Sequence, residues 1–412
     1  MSDPANVPKG PNVAGLLPEN AVATLIDHAV KMPASDLFFS CNDNHVAVSV
    51  RHLGIVQLLT VLTPELGRRC TSYIKVMAGM DMAENRRPLD GRWVKGEDGA
   101  GSPRVDLRVN TIPTLYGEDV AIRLLSSTSQ VLSIEEIGMT RREINELTAM
   151  LTIPSGLILV SGPTGSGKTT TLYACVRYLN NGQRKINTIE DPIEYAVPGV
   201  RQSQVNPKAD VGFAELLRSV LRQAPDVILI GEIRDPITAE TAVRAANSGH
   251  LVMASLHAPS AIGAIQSMVS LGVHPHFLSS SIQGVIAQRL VRTLCPKCKV
   301  SFDLDETPHT FDEVRQWLEP GEGRSIFGAK GCPECYQTGY SGRTGVFEVL
   351  RAGREMRRLI ADGRPSREIR QKAVSEGLLE LRRAALLKVA QGRTNAEEVL
   401  RTIPSEDLGL DD

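Results

Sequence analysis

Aromatic residues are scarce, only 4% of the 412 positions. Proteins that track single-stranded nucleic acid stack bases on aromatic side chains inside a strongly basic groove. Positive charge is not in excess either, because the formal net charge is −1. Together these absences argue against nucleic acid as a partner. No apolar run approaches the roughly 18 residues that a membrane-spanning helix needs. The opening Met1-Ser2-Asp3-Pro4 lacks the basic and apolar regions of a signal peptide. These features predict a cytoplasmic chain that meets a membrane only through partners. Cysteine is sparse, with seven in all. Cys41, Cys70 and Cys175 are scattered and read as small buried hydrophobes in a reducing compartment. There is no internal repeat and no low-complexity tract.

What remains is an ordinary globular composition, 42% hydrophobic and 23% charged, long enough for two or three domains. Residues 1–16 read as a flexible tail. Residues 17–126 read as a small α+β domain. In it a helix from Pro18 places Val22, Leu25, Ile26, Ala29 and Val30 on one face. Val46-Ala47-Val48-Ser49-Val50 alternates like a strand. Val105 to Leu125 reads as two strands around Thr111-Ile112-Pro113. Residues 127–140 read as a linker, polar over Ser127–Ser133. The segment 141–404 opens with a helix over Arg141–Leu151. It then alternates strands and helices to about residue 290, the pattern of a parallel sheet. A cysteine-bearing insert, 292–338, and a helical C-terminal part follow. Thr394-Asn395-Ala396-Glu397 resembles a capping box. Residues 405–412 form an acidic tail.

The most informative stretch is Gly162-Pro163-Thr164-Gly165-Ser166-Gly167-Lys168-Thr169-Thr170. It fits the P-loop pattern, and it lies between the apolar run Leu157–Val160 and a helical pattern of Leu172, Cys175, Val176 and Leu179. Its glycines let several backbone N–H groups converge on one phosphate. Lys168 suits the β- and γ-phosphates of ATP, and the Thr169 hydroxyl suits magnesium.

Three further apolar runs end in chemistry. Residues 185–189 run into Glu190-Asp191-Pro192-Ile193-Glu194. Residues 227–230 run into Gly231-Glu232. Residues 251–254 run into Ser255-Leu256-His257. Ligands of open parallel sheets sit beyond the carboxyl ends of the strands. Glu232 therefore reads as a magnesium-holding acid, although a single Glu after Gly231 is a weak form of that motif. One of Glu190, Asp191 and Glu194 suits activation of water. His250 and His257 each fit either a γ-phosphate sensor or a satisfied buried hydrogen bond. Cys295-Pro296-Lys297-Cys298 and Cys332-Pro333-Glu334-Cys335 form two C-x-x-C knuckles. Four thiolates suit a closed, structural tetrahedral zinc; a redox pair is the alternative.

In their order these motifs resemble the ATPases of type II secretion and type IV pilus assembly. The resemblance rests on residues 162–170, on Thr188-Ile189-Glu190-Asp191-Pro192-Ile193-Glu194-Tyr195, and on Val227-Ile228-Leu229-Ile230-Gly231-Glu232-Ile233-Arg234-Asp235. It rests also on Ser248 to His257 and on the tetracysteine insert, which the pilus retraction branch typically lacks. It covers roughly residues 20–402. It implies a RecA-like P-loop domain with a mainly parallel sheet, preceded by a PAS-like domain, in a homo-hexamer. It implies ATP bound between these two domains, with magnesium, and motion passed to an inner-membrane platform protein at the inner face of the plasma membrane. It implies Glu194 as the catalytic glutamate, Glu232 as the Walker B acid, and Arg108 and Arg123 as arginine fingers. The sequence departs from the usual pattern at Ala34–Ser40, which lacks a histidine and an acid, at Ala224 in Arg222–Asp226, and at Ala258-Pro259-Ser260. It also begins near the PAS-like domain, without the extra N-terminal domain that docks many secretion ATPases. Two rival readings are a RecA-like nucleic-acid motor and an ATP-binding scaffold with little turnover.

Overall fold

A computed structural model describes residues 10–96, 105–126, 131–305 and 309–405. The chain divides into two units, residues 1–130 with 330–339, and residues 131–329 with 340–412. Parts of the expected tails and linker, residues 1–9, 127–130 and 406–412, lie outside the described residues.

The first unit is α+β, as its sequence predicts. Helix α1 (Pro18–Lys31) starts on a proline, whose missing N–H costs nothing at that position, and buries Ala21, Val22, Leu25, Ile26 and Ala29. Strands β1 (Ala34–Cys41), β2 (Val46–His52) and β3 (Ile55–Leu62) form a meander. Helix α2 (Pro64–Met77) is capped by the Thr63 hydroxyl, which accepts from Leu66 N at 3.3 Å. Strands β4 (Leu89–Lys95), β5 (Val105–Thr114) and β6 (Gly117–Ser126) complete an antiparallel sheet in the order β3-β2-β1-β6-β5-β4. The β5–β6 turn falls at Leu115-Tyr116, not around Thr111-Ile112-Pro113 as expected. Pro113 is tolerated within β5 because β4 stops pairing at Thr111. Beyond that point β5 is an edge, where a missing N–H breaks no ladder bond.

The second unit is α/β. It opens with α3 (Arg141–Leu151), where Thr140 and Glu143 form a true capping box. Then follow β7 (Gly156–Ser161), α4 (Lys168–Leu179), β8 (Ile186–Glu190), β9 (Arg201–Gln204), α5 (Phe213–Val220), β10 (Val227–Ile230), α6 (Pro236–Asn247) and β11 (Leu251–Leu256). Helices α7 (Ala261–Ser270) and α8 (Pro275–Ser281) lead into the long β12 (Ile282–Leu294). A hairpin of β13 (Val300–Asp303) and β14 (Ser325–Gly328) stands apart. After it come β15 (Tyr340–Arg351), α9 (Arg354–Ala361), α10 (Ser366–Ser375), α11 (Leu381–Ala390) and α12 (Ala396–Thr402). The α12 cap is Asn395, accepting from Glu398 N, and Thr394 takes no part in a capping box.

The main sheet runs β15-β12-β7-β11-β10-β8-β9. All neighbours are parallel except β15, which pairs antiparallel with β12. Strands β7, β8, β10 and β11 are buried at every residue, which is why β7, β10 and β11 read as nearly continuous apolar runs, while β8 also buries Asn187, Thr188 and Glu190. One apolar core covers one face, with Leu157, Leu159, Ile228, Ile230, Val252 and Ala254. A second covers the other, with Ile158, Val160, Val227, Leu229, Leu251 and Met253. Period-two alternation sends successive residues to opposite cores. Truncating such a residue, for example Leu159→Ala, costs about 2–5 kcal/mol.

Candidate nucleotide site

Because β7, β8, β10 and β11 are parallel, their carboxyl ends share one edge of the sheet. That edge carries the P-loop, Glu190, Glu232 and His257 together.

The P-loop turns on glycines where only glycine is comfortable. Gly162, Gly165 and Gly167 have φ of 147°, 78° and 88°. A β-carbon on Gly162 would lie 2.5 Å from the Gln288 carbonyl oxygen, so this position also needs the close approach. Gly167 is the N-cap of α4, which places Lys168 and Thr169 in the first turn. A helix N-terminus with its N–H groups in a glycine cradle is an anion-binding geometry. Lys168 Nζ folds across the loop, donating to Gly162 O at 2.7 Å and Pro163 O at 3.1 Å. Burial holds its pKa below the usual lysine value, with Glu232 opposing and Arg289 adding to the shift. Thr169 and Thr170 are exposed.

Glu232 stands one residue beyond Gly231, at the end of β10. Its Oε2 accepts from Arg234 Nη2 at 2.6 Å, and its Oε1 lies 3.0 Å from His257 Nε2. Burial alone would push the Glu232 carboxyl up. The Arg234 hydrogen bond, with the charges of Arg234, His257 and Lys168, outweighs it and holds the carboxyl below the usual range. Asp235, the last residue of the same motif, caps α6 by accepting from Thr238 N at 2.8 Å.

The two histidines part company. His250 Nδ1 lies 3.0 Å from Ala245 O within its own turn. His257 is 47% exposed at the side chain and reaches Glu232. The acidic cluster is sorted as well. Glu190 is buried, accepting from the Tyr173 hydroxyl, from Thr188 Oγ1 at 2.5 Å and from Gln202 Nε2 at 3.0 Å. Burial and the Glu190 carboxylate push the Tyr173 phenol well above its usual range. Glu190 is thereby committed to structure. Asp191 is exposed, and the half-buried Glu194 carboxylate makes no hydrogen bond or ion pair among the described residues.

Arg108 and Arg123 belong to the first unit, where they face each other across β5 and β6. Arg123 is exposed and its Nε lies 3.4 Å from Asp36 Oδ1. The chain thus groups the P-loop, Glu232 and His257 within one unit and the two arginines within the other.

The four knuckle cysteines come together, with all four sulfurs within 4.8 Å of one another. Cys332 and Cys335 sulfurs are 3.7 Å apart. Tetrahedral zinc with bonds near 2.3 Å places thiolates about 3.8 Å apart, so the set fits that ion. Backbone N–H groups of Cys332 and Gly339 donate to the Cys335 sulfur, each at 3.2 Å, as they would to a thiolate. A separate cleft of about 1290 Å³ is lined by Arg142, Glu146, Arg351, Arg357 and Lys388, without a P-loop residue.

Arg234 and Tyr173 had no signal of their own in the sequence. Arg234 lay inside a recognised string, and Tyr173 lay inside a helix pattern. Both matter through a carboxylate that they hold.

Residues 16–401 match the family model described as type II/IV secretion system protein. The chain belongs to that family. It is 41% identical over 385 residues to type II secretion system protein E of Dickeya dadantii, covering 93% of this chain and 75% of that protein. Type II secretion system ATPase E of Vibrio cholerae is 40% identical, over 92% of this chain and 74% of that protein. Among solved structures, the pilus retraction motor PilT with bound ADP superposes with a TM-score of 0.60 at 25% identity, over 92% of this chain and 95% of that one. The Legionella pneumophila ATPase DotB superposes at 0.71, over 95% and 98%, with 20% identity, a likeness of fold. Family membership makes the chain a P-loop ATPase of the secretion and pilus motor class. No described helix is long and apolar enough to cross a membrane.

Proposed function

We propose that this chain is the magnesium-dependent ATP-hydrolysing motor of a type II secretion or type IV pilus assembly machine. It works as a homo-hexamer at the inner face of the plasma membrane, pushing on an inner-membrane platform protein. The observation that carries the reading is the single sheet edge on which the P-loop, Glu232 and His257 meet. The names of the relatives in Dickeya dadantii and Vibrio cholerae support the secretion branch.

In this reading the P-loop N–H groups and Lys168 take the phosphates of ATP. Thr169 and Glu232 offer the hard oxygen donors that magnesium prefers, and the ion supplies charge neutralisation there. Glu194, whose carboxylate is uncommitted, takes the proton from the attacking water. His257 reads the Glu232 carboxylate and links the ends of β10 and β11. Arg108 and Arg123 neutralise charge on the transferred phosphoryl group. The four cysteines hold a structural zinc, since a closed thiolate set leaves no open position for catalysis.

Steady-state phosphate release tests the core of this reading. Wild type should turn over ATP only with magnesium present, and Lys168→Ala should not. Equal rates for both would refute it.

A further inference from the structure

Strand β12 outlasts its neighbour β7. Their pairing ends at Ala287 opposite Ser161. There β7 turns into the P-loop, and β12 continues beside it. The next residue, Gln288, is 1% exposed. Its carboxamide meets the P-loop segment twice. Nε2 donates to Ser166 O at 2.7 Å, and Oε1 accepts from Thr171 Oγ1 at 2.8 Å. The orientation of the amide follows from its partners, because a backbone carbonyl only accepts. A β-carbon on Gly167 would lie 3.2 Å from Gln288 Nε2, so the loop rests directly on this side chain. Arg289 extends the link. It donates to Gln288 O at 3.1 Å and to Pro259 O at 3.1 Å, in the loop that follows His257.

We propose that Gln288 is a positioning residue for the nucleotide, holding the P-loop in the shape that grips phosphate. The inference rests on reading the P-loop as the ATP site. In a trans peptide the C=O and N–H point in opposite directions. Fixing the Ser166 carbonyl toward Gln288 therefore turns the Gly167 N–H toward the inside of the loop, where a phosphate is held. The Thr171 bond anchors the same amide to the first turns of α4. Three flexible glycines leave the loop many shapes; the buried amide selects one. Arg289 ties the same strand to the His257 loop, so both nucleotide-facing loops hang from consecutive residues of β12.

The test is equilibrium binding of a fluorescent ADP analogue, with kcat and KM for ATP and a thermal midpoint for each full-length variant. Gln288→Leu keeps the volume and removes both bonds. It should raise the Kd and KM about tenfold, the order expected for hydrogen bonds lost around a charged ligand, with kcat changed less. Thr171→Val should raise the Kd about threefold. The double variant should be no weaker than Gln288→Leu alone, because both remove one linkage. Gln288→Glu sets a carboxylate against Ser166 O and should bind more weakly than Gln288→Leu. Wild-type affinity in a folded Gln288→Leu, or losses that multiply in the double variant, would overturn the proposal. If Gln288→Leu does not fold, wild-type affinity in Thr171→Val overturns it instead. Lys168→Ala separates the two readings. Loss of binding there with none in Gln288→Leu sinks only the positioning role, whereas normal binding by Lys168→Ala sinks the P-loop site itself.

Discussion

Glu232 and His257 end neighbouring parallel strands and meet at 3.0 Å, between Oε1 and Nε2. Arg234 occupies the other carboxylate oxygen at 2.6 Å. The carboxylate is therefore gripped from both sides and kept ionised.

The grip has a pH signature. Arg234 lowers the Glu232 carboxyl by a hydrogen bond and by charge, against the effect of burial. Removing it lets the carboxyl rise, so more of it is protonated in mild acid. Arg234→Ala should move the acid limb of kcat/KM to higher pH and leave the alkaline side in place. Profiles from pH 5 to 9 for both proteins check this. Superimposable acid limbs would show that Glu232 does not govern the reaction.

The thiolate cluster calls for metal analysis. Purified protein should carry one zinc per chain by elemental analysis. Cys298→Ser should lose the metal, and chelation should lower the thermal midpoint of wild type but not of that variant. Wild type without metal, and with an unchanged midpoint after chelator, would contradict the assignment.

A buried carboxylate predicts acid sensitivity of a different kind. Glu398, 0% exposed at the side chain, accepts from Arg292 and Arg401. Burial raises its pKa, but these hydrogen bonds win and hold it below the ordinary 4.5. A depressed carboxyl stabilises the fold fully above its unfolded value, and that stability is lost as pH falls through the folded value. Glu398→Gln should cost about 3 kcal/mol at pH 7, the scale for breaking a buried pair. The gap to wild type should shrink below pH 4.5 in urea titrations. A gap that is constant with pH would mean that the pairing adds nothing beyond shape.

Arg123→Ala separates catalysis from folding. Its side chain is 63% exposed, and its ion pair with Asp36 is 3.4 Å long. Exposed pairs contribute about 0–1 kcal/mol, so the variant should stay folded. If Arg123 acts as an arginine finger, turnover should fall about 10³-fold. Wild-type turnover with an intact fold would return Arg123 to a surface role.

Much of the site was legible because its chemistry is local in sequence. The P-loop sits between one strand and one helix, and each acid or histidine lies within a few residues of the end of an apolar run. The α/β class followed from the same runs. What could not be read depends on contacts between distant positions. Thr171 and Gln288 meet across 117 residues, and no pattern around Ile286–Leu290 announces it. Spacing alone does not separate Glu190 from Glu194; the hydrogen bonds of Tyr173 and Gln202 to Glu190 do. Spacing left His250 and His257 undecided; only the turn that satisfies His250 and the reach of His257 to Glu232 separate them. The antiparallel β15 was missed because it returns after the cysteine insert to pair with β12. The β5–β6 turn falls later than the expected Thr111-Ile112-Pro113, because the sheet edge accepts Pro113 within β5.

The most direct measurement of the central claim is phosphate release by Glu194→Gln beside wild type, with ADP-analogue binding measured on the same samples. Losing a general base costs at least about a hundredfold, so turnover should collapse while nucleotide still binds as in wild type. Turnover at the wild-type rate would contradict the account.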